Sequence, residues 1–105
     1  MNDNPLVQLT LAYPRPAERQ LLADLLEIDP DLAGFTTLHA EGHGHGFARA
    51  SVQEQVSGRA ERALLQAVLP ADSARRLVEG LRTRLPSPEI AYWMSPIIEF
   101  GRIVE

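Results

Sequence analysis

Three histidines and a glutamate crowd one short stretch of this chain: His39, Glu41, His43 and His45. All four numbers are odd. In a strand that reaches residue 45, the four side chains therefore project from one face. Neutral imidazoles with one carboxylate suit a divalent transition metal: zinc, copper, nickel or cobalt. Gly42, Gly44 and Gly46 interleave them and let the chain bend to gather ligands, at a cost in ordering entropy. Imidazole ligates only when unprotonated, so a metal held this way leaves as pH falls through ~6.5. Without a metal, the same Gly-His-Gly-His-Gly run is a solvated loop and His39 a polar strand residue.

A second set of candidates is cationic. All ten basic residues are arginine. Arg59, Arg62 and Arg102 lie nearest the loop and the C-terminal strand, and a guanidinium can fork onto a phosphate or carboxylate. Arg59 and Arg62 are three apart on a strand, so they face opposite ways and at most one of them reaches a given ligand. Ion pairing with Glu54, Glu61 or Glu99 is the alternative use. Other chemistry is excluded by composition. The absence of lysine rules out a Schiff base, and the absence of cysteine rules out disulfides and thiolate ligands. No Gly-x-Ser-x-Gly elbow is present, and His39 beside Glu41 is too little for an acid–base site. We expect no enzyme. A net charge of −4 argues against nucleic-acid binding, which needs a basic face. No apolar run approaches the ~20 residues of a membrane span, and the N-terminus lacks a signal-peptide pattern. The expected location is the cytoplasm.

The elements that must position these groups follow from periodicity. Val7, Leu9, Leu11 and Tyr13 alternate with Gln8, Thr10 and Ala12, which predicts a strand over 6–13 with one greasy face. Pro14 and Pro16 end it. Leu21, Leu22, Leu25, Leu26 and Ile28 form the stripe of a helix over 17–28, with Asp24 off it. A second strand is expected over 34–41, a long loop over 42–58 and a third strand over 59–69. The third strand is apolar on both faces, as suits a sheet covered on both sides. Asp72 or Ser73 should cap a second helix carrying Ala74, Leu77, Val78, Leu81 and Leu85. Gly80 weakens that helix by roughly 1 kcal/mol relative to alanine. A fourth strand spans 89–95, and residues 97–100 can add a short fifth. The order predicts a single α+β domain over residues 1–105, a ferredoxin-like βαββαβ sandwich with a four-stranded antiparallel sheet.

The residues of the loop narrow this further. Gly42-His43-Gly44, then Ser51-Val52-Gln53-Glu54-Gln55-Val56-Ser57-Gly58-Arg59 and Arg62, together with Tyr92-Trp93, Pro96 and Gly101-Arg102-Ile103, resemble an uncharacterised PII-like family. The resemblance covers nearly the whole chain. It implies a regulatory subunit, assembled as a homotrimer, whose loop over about 42–58 is the functional T-loop. It also implies metal handling, because such proteins accompany heavy-metal efflux pumps, and a membrane transporter as partner. His43 falls within the motif. In the partner reading, Ser51, Val52, Glu54, Gln55, Val56 and Gly58 form the contacting loop, with Val52 and Val56 on one edge of a short helix. In a trimer the three arginines meet at the cleft between subunits, which gives the alternative of a nucleotide or small-anion sensor. Nucleotide-binding PII proteins carry a Gly- and Lys-containing phosphate loop after the second helix. Here that stretch is Leu85-Pro86-Ser87-Pro88-Glu89, so nucleotide binding is not inherited by motif. Dimeric α+β-barrel monooxygenases share the element order and are the enzyme alternative.

Overall fold

The computed structural model describes residues 3–32, 34–43 and 59–104. The chain runs through β1 (Leu6–Pro14), a 3₁₀ turn (Arg15–Ala17), α1 (Glu18–Ile28), β2 (Thr36–His43), β3 (Arg59–Pro70), α2 (Ala71–Arg84) and β4 (Ala91–Pro96). The strands form one antiparallel sheet in the order β2-β3-β1-β4. This is the expected α+β ferredoxin-like arrangement. Prolines bound the elements where a missing N–H or a fixed φ stops a ladder: Pro14 and Pro70 end strands that lead directly into helical turns.

Both helices pack on one face of the sheet. Leu9, Leu11 and Tyr13 of β1 and Ala63, Leu65, Ala67 and Leu69 of β3 bury against Leu21 and Leu25 of α1 and Ala74, Leu77, Val78 and Leu81 of α2. The other face carries Thr10, Leu38, Leu64, Gln66, Val68 and Trp93, which the strand registers place side by side. No helix among the described residues covers it. Leu38 and Trp93 are 41% and 47% exposed there.

Four local details differ from the sequence reading. β2 starts at Thr36 and runs on to His43, because Ala60 and Arg59 extend β3 far enough to pair with Gly42 and His43. On α1, Asp24 is only 5% exposed and Leu26 lies outside. Counting from Leu21, the i, i+3, i+4, i+7 face contains Asp24, Leu25 and Ile28 rather than Leu26. The Asp24 carboxylate accepts from Gln20 Nε2 at 3.0 Å through Oδ1. The start of α2 is held not by its own Asp72 or Ser73 but from the N-terminus. Asn4 Oδ1 accepts the Asp72 N–H at 2.8 Å, and Pro5 O accepts the Ala71 N–H at 2.8 Å. Residues 97–104 add no fifth strand.

Gly80 also has a role that helix propensity does not show. A Cβ there would stand 2.6 Å from Ile28 Cδ1. The glycine lets α2 pass close to the end of α1, so its conformational cost is exchanged for helix–helix packing.

Candidate functional site at the end of the β2–β3 ladder

The far end of the β2–β3 ladder leads into residues 44–58. It places Glu41 opposite Glu61, Gly42 opposite Ala60 and His43 opposite Arg59. His39, Glu41 and His43 do share one face of β2, as their odd spacing requires. Glu41 Oε2 and His43 Nε2 are 4.0 Å apart, and both side chains are at least half exposed. His39 stays apart from that pair: among the described residues no three His, Cys, Asp or Glu side chains gather into a metal-ligating group. His45 and the expected partner-loop residues Ser51, Val52, Glu54, Gln55, Val56 and Gly58 lie outside the described residues.

Directly opposed glutamates on adjacent strands repel. The structure sets a cation beside them that the sequence reading passed over. Arg15, in the 3₁₀ turn, donates Nε to Arg62 O at 2.9 Å and Nη2 to Ala40 O at 3.2 Å. Its Nη1 is 3.7 Å from Glu61. One guanidinium thus joins the β1–α1 connection to both strands of the ladder end. The only sequence signal was position: an arginine between two prolines, where the strand must turn into a helix.

Arg62 was a candidate either for an anionic ligand or for an ion pair. Its guanidinium donates Nη2 to two main-chain oxygens, Glu89 O at 2.5 Å and Ala12 O at 3.3 Å. Burial lowers its proton affinity, and the charge of Glu89 partly restores it. These bonds tie β3 to β1 and to the turn before β4. Arg59 enters through its backbone pairing with His43. Arg102 lies exposed on the segment after β4. Beneath the ladder end, fully buried Tyr13 donates its hydroxyl to Glu18 Oε2 at 2.6 Å. Burial first, then that hydrogen bond and the Glu18 charge, push the phenol's ionisation well above its usual range.

No helix among the described residues is long and apolar enough to cross a membrane.

The fold is shared with solved structures. A DUF3240 family protein from Shewanella baltica OS155 superposes with a TM-score of 0.74 at 19% identity, covering 98% of this chain and 99% of that one. CPII from Thiomonas intermedia K12 is a nitrogen regulatory PII-like protein whose structure holds ADP, AMP and bicarbonate. It gives a TM-score of 0.66 at 19% identity, over 95% of this chain and 97% of its own. A putative PII-like signalling protein from Thermus thermophilus gives 0.60 at 16% identity, over 91% of each chain. No curated protein matches the sequence. The family model described as "Protein of unknown function (DUF3240)" matches residues 3–104, and the chain belongs to that family.

Proposed function

We propose that this chain is a regulatory small-ligand sensor that works as a homotrimer. It binds a divalent transition metal (zinc, copper, nickel or cobalt) at the end of the β2–β3 ladder. Through the adjoining 44–58 segment it modulates a membrane transporter. The observation that carries the metal reading is the Glu41–His43 pair. Two ligands bound at about 2.0–2.2 Å to one tetrahedral zinc stand roughly 3.3–3.6 Å apart. The 4.0 Å between Glu41 Oε2 and His43 Nε2 closes to that range by a small rotation of either exposed side chain. A cation there would also relieve the repulsion between Glu41 and the opposed Glu61.

The regulatory part draws support from the fold shared with PII-like proteins. The assembly draws support from the bare sheet face, where Leu38 and Trp93 are exposed and Leu64 and Val68 half-buried. An apolar sheet face of this kind is suited to a partner subunit.

The ligands in the Thiomonas CPII structure motivate a second reading, in which an adenine nucleotide or bicarbonate binds. Against it stand the absence of Gly and Lys from Leu85 to Glu89 and the engagement of Arg62 with carbonyl oxygens. One calorimetric series separates the two. Zinc, copper, nickel and cobalt chlorides, then ADP, AMP and bicarbonate, are titrated into wild type, Glu41→Gln and His43→Ala. Metal affinity should drop at least tenfold in both variants. Equal metal affinity in all three proteins ends the metal reading, and binding confined to nucleotide or bicarbonate replaces it with the second.

A further inference from the structure

Besides the bare sheet face, two apolar surfaces are left uncovered by the described residues. The first is the segment after β4. Ile98 and Ile103 are fully exposed, and Phe100 and Val104 largely so. The second is a groove of about 430 Å³ on the helix side of the sheet edge. Its walls are Val78, Leu81 and Leu85 at the end of α2 and Ile90 before β4. Its polar rim is Arg82, which donates Nη2 to Tyr92 Oη at 3.0 Å and lies 5.6 Å over that ring. The volume is in the lower part of the roughly 300–1,000 Å³ range of pockets that enclose a small ligand.

We infer that residues 97–104 of one copy lie in the α2–β4 groove of a second copy, with Ile98 and Phe100 as the inserted side chains. In an extended chain, residues two apart point the same way, so Ile98 and Phe100 enter together while Glu99 stays in water. The geometry of β4 makes the contact intermolecular. The strand begins at Ala91 opposite Ala12 and ends at Pro96 opposite Val7. Tyr92 stands at the groove, and the segment departs from the other end of the strand, about 13 Å away at ~3.3 Å per residue. Ile97 N–H bonds to Leu6 O at 3.3 Å, which continues the β1–β4 ladder. The chain therefore leaves heading away from its own groove. β4 is also the sheet edge, with no strand on its outer side among the described residues. An incoming extended segment can add there as a strand while its side chains fill the groove. Each copy gives one arm and receives one. This head-to-tail contact can close into a ring, in keeping with the trimer proposed above, on which the inference rests.

The chain has no cysteine, so disulfide trapping has no background. Phe100→Cys and Ser87→Cys are prepared separately, mixed and oxidised. A covalent dimer should form in the mixture and in neither variant alone. Phe100→Asp should raise the subunit dissociation constant at least tenfold in native mass measurements. An oligomeric native mass with no cross-link in the mixture overturns the arm contact and leaves the assembly standing. A monomeric mass at all concentrations overturns both. A doubly substituted chain that forms its disulfide only within itself shows docking in cis and also overturns the inference.

Discussion

Replacing Gly80 by alanine sets two effects of known size against each other. Alanine in a helix interior is worth about 1 kcal/mol over glycine. The new Cβ, however, would stand 2.6, 2.8 and 3.1 Å from Cδ1, Cγ1 and Cγ2 of Ile28. Three atoms of one β-branched side chain must move. Ile28 closes α1 and packs against the core, so it cannot swing aside without losing contacts. Overpacking of this kind costs about 1–3 kcal/mol. The packing effect should win, and Gly80→Ala should destabilise by about 0–2 kcal/mol. Urea unfolding at one fixed protomer concentration measures it, as a lower midpoint with an unchanged slope. The decisive comparison is a cycle with Ile28→Ala, which removes the three clashing atoms. With them gone, alanine at position 80 should recover its helix advantage. The double variant should then be about 1–3 kcal/mol more stable than the sum of the single effects. If Gly80→Ala stabilises by its full helix propensity and the two substitutions simply add, the close approach is not a constraint and the reasoning fails.

Two other side chains give sharp expectations. Arg15→Ala should leave Ala40 O and Arg62 O without their guanidinium donor and cost about 1–3 kcal/mol; hydrogen exchange should accelerate at the Ala40–His43 end of the ladder, and unchanged exchange there would show that the arginine is not its clasp. Tyr13 keeps its proton in the folded state above the unfolded phenol's value near 10. The stability this contributes is full below about pH 10 and is lost as pH rises above it. Tyr13→Phe should therefore flatten the alkaline limb of stability between about pH 10 and 11 while costing roughly 1–2 kcal/mol at neutral pH; an alkaline limb identical to wild type would refute the assignment.

The element order, the buried stripe of α2 and the greasy face of β1 were legible in the sequence because each rests on a single period. Burial that depends on a neighbour was not. Thr10 is almost wholly buried although it faces the bare side, since β1 is an interior strand and Gln66 and Trp93 flank the residue in register. Asp24 looked solvated by type, yet it sits between Leu21 and Leu25 on the packed face of α1. The one-face placement of His39, Glu41 and His43 followed from alternation alone. Whether those side chains converge depends on rotamers and on Glu61, brought opposite Glu41 by pairing across the sheet. Arg15, Arg62 and Asn4 act on backbone groups 25 to 68 residues away, and no local pattern encodes a partner at that separation.

Trp93 stands on the uncovered side of the sheet, and it is the chain's one tryptophan. Indole emission shifts to shorter wavelength as water leaves the ring. The molecule thus carries its own unlabelled fluorophore at the surface where a neighbour would settle, and dilution followed by emission colour gives a direct optical record of that neighbour's arrival and departure.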